Sequence, residues 1–388
     1  MKILQIHNFY KLGGGEDSVL QNEYELLINM GHIVEQHIVY NSKIDSFNFI
    51  QKLSLFFSSV FSFRSKVLLK KKLATFKPDI CHVHNTFPLL SPSIYYACKE
   101  FNIPVVQTLH NFRLVCSNAY LFRNGQTCQF CVGKSLYYSV PKKCYHNSMF
   151  ETFFVSNIIM FNRLINTWNG QVDQYIVLNN FSKKIFIQGG IDSNLITVKP
   201  NFINDDPGFS TSSGNYFFYA GRLEKNKGVE LLYQTFSSLQ SDLKIAGSGD
   251  LYPDKEYPNI LFLGQVSKSK ILDLIKDSIA IIYPTFLYEN MPMLILEAFA
   301  CGKCVIATNI GAVREMIQDG FNGLLFNAGD KNHLTEKIKW VLEHPSEVKI
   351  ICENARLSYE RYYSSESNYN ELMKVYLKCI NLKSNGKN

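Results

Sequence analysis

At 388 residues with 46% hydrophobic content, the chain has material for two domains, each with its own core. Its net charge of +7 is spread along the sequence and densest around Lys66–Lys77, which suits anionic ligands or an anionic membrane face. That charge is too diffuse for a nucleic-acid footprint and no nucleic-acid module is present, so no nucleic-acid partner is expected.

Met1-Lys2 runs straight into a predicted strand, so no signal peptide is read. No apolar run reaches the ~18 residues that a bilayer-spanning helix needs. The ten cysteines, without a secretory signal, read as reduced thiols or metal ligands. The expected location is the cytoplasm, with room for peripheral attachment to the inner face of the cell membrane.

The first strand, 2–7, leads into Lys11-Leu12-Gly13-Gly14-Gly15-Glu16 and a helix capped by Asp17 and closed at Gly31, followed by a strand over 32–39. A glycine-rich loop at the carboxyl edge of such a β-loop-α-β unit is where α/β folds place ligands, and Gly14 and Gly15 let a substrate or phosphate come close. The dinucleotide fingerprint G-x-G-x-x-G fails, because Ser18 stands where its last small residue belongs. Residues 46–73 mix Phe, Leu, Ile and Val with Ser and Lys. They predict one or two amphipathic helices, either resting on anionic lipid or packed on the sheet.

Asp79–Asn85 and Ile103–Leu109 read as buried strands, the second ending at His110-Asn111-Phe112-Arg113. A histidine at a strand's carboxyl end beside Asn and Arg is a candidate for chemistry; of His82 and His84, one is expected to pack and the other to edge the site. A loop-rich insertion over 116–144 carries Cys116, Cys128, Cys131 and Cys144 as C-x₁₁-C-x₂-C-x₁₂-C. Four thiolates around a C-x₂-C knuckle would satisfy a structural, closed tetrahedral zinc; free thiols are the alternative. Met149–Trp168 reads as a buried or interfacial helix, and 174–178 and 196–198 as strands.

Asn204–Asn215, NDDPGFSTSSGN, is polar and aperiodic and reads as a linker. Beyond it, strand Tyr216–Tyr219 opens into AGRLEKNKG, where Arg222 and Lys227 leave the sheet's ligand edge five residues apart. Each could neutralise one phosphate of a diphosphate, Arg by a planar fork and Lys as a point charge. Further strands follow at 243–246, 260–263, 279–283, 303–307 and 324–326, the second leading to Val266. In YENMPMLILEAFACG, Glu289 lies on a loop, Pro292 opens a helix, Glu297 rides on it and Gly302 closes it. Two acids near an apolar helix are costly to bury unless something polar meets them; a carboxylate can accept from both hydroxyls of a sugar diol.

These residues, the E-x₇-E pair opening into EAFACGKCVIATNIGAVREMIQDGFNGLLF together with AGRLEKNKGVELL, resemble glycosyltransferase family 4, the retaining, nucleotide-sugar-dependent GT-B enzymes. HNFRLVC leading into a cysteine cluster is similar to the surface-polysaccharide members. The resemblance implies an α/β GT-B fold: two Rossmann-like doubly wound domains facing across a cleft, closing about the linker. The domains would be an acceptor-side domain at 1–203 and a nucleotide-sugar domain at 216–360. A C-terminal helix at 361–388 would cross back to the first.

It further implies that His110, Arg222, Lys227 and Glu289 carry the catalysis. Glu297 would hold the ribose diol, and Val266 the base through its backbone. Glu289 with Asn290, Met291, Pro292, Met293 and Leu294 would hold the donor sugar. No Asp-x-Asp pair is present, so no metal cofactor is expected for catalysis. The implied activity is transfer of a hexose or related sugar from a nucleotide diphosphate sugar, UDP by family default and GDP as the variant. The implied acceptor is a glycan, lipid-diphosphate-linked in O-antigen, capsule or exopolysaccharide assembly. The alternatives are a GT-B phosphorylase or synthase acting on a soluble acceptor, and a catalytically silent nucleotide-sugar-binding protein.

Overall fold

The structure, a computed structural model, describes residues 1–11, 13–253 and 256–385. Leu12 of the glycine-rich stretch, 386–388 of the predicted last helix, and the side chains of Phe49, Lys52, Leu53 and Asn385 lie outside the described residues. The chain divides into two compact units, one of Met1–Leu121, Gln129–Pro200 and Asn368–Asn388, the other of Phe122–Cys128 and Asn201–Ser367.

The first unit holds strands β1 (Lys2–Phe9), β2 (Ile33–Tyr40), β3 (Ile80–Val83) and β4 (Val105–Thr108). A short antiparallel ribbon, β5 (Phe122–Arg123) and β6 (Gln126–Thr127), is counted with the second unit. Strands β7 (Gln174–Val177) and β8 (Ile196–Val198) complete a parallel sheet of order β2-β1-β3-β4-β7-β8. Its strands read as near-continuous apolar runs because helices cover both faces of a parallel sheet. The polar residues within β1 are buried too and find partners: Asn8 Nδ2 donates to Asn41 Oδ1 at 2.7 Å, and Gln5 Oε1 accepts from Gln36 at 3.1 Å.

The helix after β1 is Gly15–Asn29, with Gly14 at its cap. Asp17, expected as the cap, instead lies two residues inside and reaches back to the Gly14 N–H at 2.9 Å. Residues 46–73 form two helices, Phe49–Val60 and Phe63–Phe76, started by Asn48 and Ser62 side chains that accept from Gln51 and Ser65 backbone N–H groups. The chain's last helix, Ser365–Asn385, sets Leu372, Val375, Tyr376 and Cys379 against Ile3, Leu27, Ile80, Val106 and Ile176. The spacing i, i+3, i+4, i+7 makes that one apolar face, and each such side chain fully buried contributes about 1.5–3 kcal/mol.

The second unit is a parallel sheet of β9 (Tyr216–Ala220), β10 (Asp242–Ala246), β11 (Ile260–Gly264), β12 (Ala280–Tyr283), β13 (Val305–Thr308) and β14 (Leu324–Phe326), in order β11-β10-β9-β12-β13-β14. Residues 204–215, read from sequence as a linker, are laid along this unit. Arg356 forks onto both Asp206 oxygens at 2.6 and 2.5 Å, Ser210 bonds Cys301 and Lys276 carbonyls, and Lys303 donates to the Ser212 carbonyl. Lys303 is buried and has to find carbonyls, so a stretch with no periodicity of its own is still pinned.

In each sheet the strand order reverses once, between β1 and β3 in the first unit and between β9 and β12 in the second. At such a point the connections leave in opposite directions, opening a crevice at the carboxyl ends of the strands, where doubly wound folds bind ligands. Lys227 and Glu289 lie at the second of these places, and Gly14 and Gly15 beside the first.

Candidate active site

In the second unit the loop after β9 and the loop after β12 are stitched together at the switch point. Gly228 has φ of +75°, and a Cβ there would lie 2.0 Å from the Pro284 oxygen, so only glycine lets the loops approach this closely. The Phe286 N–H donates to the Asn226 carbonyl at 2.9 Å. This seam brings Lys227 Nζ onto Glu289 Oε1, which also accepts from Thr285 Oγ1 at 3.3 Å, and the Glu289 carboxylate accepts from the Tyr283 hydroxyl as well. Burial and the Glu289 charge push the Tyr283 phenol well above its ordinary value, so it stays a donor.

The sequence reading gave Lys227 to a phosphate and Glu289 to a sugar; the structure joins them as an ion pair with little solvent exposure, 15% and 18%. Arg222 is exposed instead, and its guanidinium bonds Glu224 at 2.7 Å.

The helix Met293–Ala300 begins at Pro292, which occupies the cap, one place before its expected position. Asn290, Met291 and Pro292 are buried in the approach to that helix; Met293 is half-buried, and Leu294 is buried in the first turn. Glu297 lies on the helix among buried Leu296 and Ala298, and burial pushes its carboxyl up to about 7, with Lys268 pulling the other way. A carboxyl held half-protonated near neutrality favours a partner that donates hydrogen bonds to its charged form. Val266 is half-buried just past the carboxyl end of β11.

In the first unit, His7 on β1, Glu16 and Asp17 on the first helix turn, and Asn85 and Asn111 after β3 and β4 gather at the other switch point. Glu16 accepts from Asn85 and Asn111 at 3.3 and 3.4 Å, and burial together with the Asp17 charge raises its carboxyl to about 8. His7 bonds Asp17 at 2.9 Å. Gly14 and Gly15 are exposed; Gly14 is extended, with open space where a Cβ would be, so no strain or packing in the chain requires glycine there.

His110 is half-buried, and its Nε2 lies 3.0 Å from His84 Nδ1. His82 and His84 are both buried, so neither edges the site. Behind them the fully enclosed Glu23 sits 2.7 Å from His82, 3.4 Å from His84 and 3.6 Å from Lys199. Lys199 also bonds Asn368 at 3.1 Å. Sequence reasoning passed over Glu23, Glu16 and Lys199. A signal for Glu23 exists: it falls at helical spacing between Leu20 and Leu27, on the helix's apolar face.

Among the described residues, two groups come close enough to hold a cation: Glu23, His82 and His84, and His7, Glu16 and Asp17. The first already faces the Lys199 ammonium, and the carboxylates of the second are engaged by Asn85, Asn111, His7 and the Gly14 N–H. The four cysteines form no such group among the described residues. Cys128 falls in the second unit and Cys116, Cys131 and Cys144 in the first. Cys116 Sγ is turned to Asn118 Oδ1 at 2.9 Å, and burial raises its thiol pKa. The four thiols are not drawn together as the expected zinc set, and no role is derived through it.

Two doubly wound parallel units are the architecture of the GT-B class of glycosyltransferase fold. HepE of Anabaena, solved in complex with UDP, matches 97% of this chain and 100% of its own length at a TM-score of 0.67 and 18% identity. Residues 204–358 match the family described as glycosyl transferases group 1, and residues 46–207 match glycosyltransferase family 4. The chain belongs to the family 4 type of glycosyltransferase.

An uncharacterized glycosyltransferase of Methanocaldococcus jannaschii is 27% identical over 201 residues, 49% of this chain and 57% of that protein. The capsular polysaccharide biosynthesis glycosyltransferase CapM of Staphylococcus aureus is 27% identical over 170 residues, 41% of this chain and 44% of CapM. The chain thus spans about half the length of these curated relatives.

Proposed function

We propose that this chain is a retaining, metal-independent hexosyltransferase that uses a nucleotide diphosphate sugar, with UDP as the nucleotide. The acceptor in this reading is a lipid-diphosphate-linked glycan of a capsule, O-antigen or exopolysaccharide. The observation that carries it is the seam between the loops after β9 and β12, which puts the Lys227 ammonium and the Glu289 carboxylate together at the switch point. A UDP-bound neighbour of the same fold and a capsule-assembly relative support the choice of donor and pathway.

Lys227 supplies positive charge to the departing diphosphate, with Arg222 and the free amides at the start of Met293–Ala300 adding to it. Glu289 accepts from donor-sugar hydroxyls and Glu297 from the ribose diol. As the bond from the sugar's anomeric carbon to phosphate oxygen breaks, the acceptor oxygen bonds that carbon from the same face. Its proton passes to the leaving phosphate oxygen, so no enzymic nucleophile is used.

A helix pair in the first unit supports an anionic membrane partner. On Phe49–Val60 and Met149–Leu164, Phe57 and Phe150 are 69% and 68% exposed, and the Phe56 ring stacks with Phe150 and Phe153. Among the described residues no helix is long and apolar enough to cross a membrane.

The test is transfer of label from UDP-sugars to a polyprenyl-diphosphate-linked glycan, with the anomeric configuration of the product read by NMR. Full activity in EDTA and an α product from an α donor are expected. An inverted product, or a strict requirement for Mg²⁺ or Mn²⁺, would remove the corresponding part of the reading.

A further inference from the structure

His110 Nε2 lies 3.0 Å from His84 Nδ1, and the polar contacts behind that pair have a direction. Burial alone would raise the Glu23 carboxyl, but His82, His84 and Lys199 around it hold it well below the usual range, so it is a carboxylate that only accepts. His82 Nδ1, 2.7 Å from Glu23 Oε1, therefore carries a proton, and its Nε2 pairs with the Thr108 hydroxyl at 2.8 Å. The Tyr376 hydroxyl, 2.7 Å from the same Nδ1, accepts a share of that proton.

His84 Nε2 lies 3.4 Å from Glu23 Oε1 without the alignment of a hydrogen bond, but a carboxylate that close favours an N–H over a lone pair on that nitrogen. A second proton would make His84 cationic. Burial and the neighbouring His82 push it down to about 4, so it stays neutral. His84 Nδ1 then has only a lone pair. It lies 3.0 Å from His110 Nε2, which must be the donor. Burial holds His110 well below the ordinary imidazole range against the pull of Glu23, so it is neutral too. Its remaining nitrogen, Nδ1, is left without a proton.

We infer that Glu23 and His84 are positioning residues that lock His110 as the Nε2–H tautomer, so that it offers a ligand a bare Nδ1. A bare nitrogen accepts from a hydroxyl and repels phosphate and carboxylate oxygens. The chemical class it recognises is therefore a sugar hydroxyl, not the diphosphate. Naming that hydroxyl as a sugar's rests on the transferase reading above; the tautomer does not.

The experiment is two-bond ¹H–¹⁵N NMR of the full chain labelled with ¹⁵N-histidine, with His110→Asn used only to assign the His110 signals. The expected spectrum shows a protonated Nε2 and an unprotonated Nδ1 for His110, unchanged between about pH 6 and 8. An Nδ1–H tautomer, or a cationic ring in that range, would overturn the inference. In His84→Phe the His110 ring should populate both tautomers and titrate closer to the ordinary imidazole value; an unchanged His110 spectrum would also overturn it. Should that variant fail to fold, Glu23→Gln is read the same way, since a carboxamide can donate as well as accept and the direction is lost. No substrate is present in these spectra, so a failed transfer assay would sink the transferase reading and leave this result standing.

Discussion

Gly228 and Pro284 are in contact where the loops after β9 and β12 of the second unit cross. A Cβ on residue 228 would stand 2.0 Å from the Pro284 carbonyl oxygen, and the backbone there is left-handed at φ +75°. Gly228→Ala must separate the loops. It should cost about 1–3 kcal/mol in backbone strain alone, lower the melting temperature and weaken nucleotide binding, read by scanning calorimetry with and without UDP. An unchanged melting temperature would mean the seam yields freely.

Lys227 is held where it is by that seam, whereas Arg222 is exposed and bonded to Glu224. Lys227→Met is expected to lower kcat by a factor on the order of 10²–10³, as loss of one donor to developing charge does. Arg222→Ala should lose less, because solvent already screens its charge. Steady-state kinetics of sugar transfer decide; equal losses would put Arg222 on the leaving group as firmly as Lys227.

The Glu297 carboxyl gives a pH dependence with a definite sign. Burial raises it to about 7 in the folded chain, so the stability it contributes is full below the ordinary carboxylate range and is lost as pH rises through about 7. Binding a ribose diol favours the charged form and expels a proton. UDP affinity should therefore rise roughly tenfold from about pH 6 to about pH 8, and the slope should vanish in Glu297→Gln. Isothermal titration calorimetry in buffers of different ionisation enthalpy measures both; a pH-independent affinity in the parent protein would detach Glu297 from the nucleotide.

Phe57 and Phe150 test the membrane surface. Replacing both with serine should reduce co-sedimentation with vesicles of anionic phospholipid by roughly tenfold or more, given the apolar area each exposes. Transfer to a short water-soluble acceptor should be unchanged. Equal sedimentation of parent and variant would assign the aromatic face to something other than lipid.

Much of this architecture is legible in the order of residues. Strands such as Ile80–Val83 and Ala280–Tyr283 announce themselves as short apolar runs, and Gly302 and Gly228 mark where the chain must turn left-handed. Arg222, Lys227, Glu289 and Glu297 could be singled out because charge after an apolar strand or on an apolar helix is costly without a purpose. Less legible were the positions whose meaning depends on a distant partner. Glu23 looks like one more helix acid until His82, His84 and Lys199 close around it, and the polar stretch 204–215 looks loose until Arg356 and Lys303 bond it. The C-x₂-C knuckle suggested metal because spacing fixes neighbours along the chain, yet Cys116 turns to Asn118.

The sequence by itself determined which segments become strands and helices, how many units they build and where charge leaves a sheet edge, because burial periodicity and turn chemistry are local. Only the tertiary structure decided that Lys227 would lie on Glu289, and that His110 would stand at the end of a line running back through His84 to Glu23. Those pairings follow from sheet order. Reversal between β9 and β12, and between β1 and β3, juxtaposes loops dozens of residues apart, and no local spacing encodes which ones will meet.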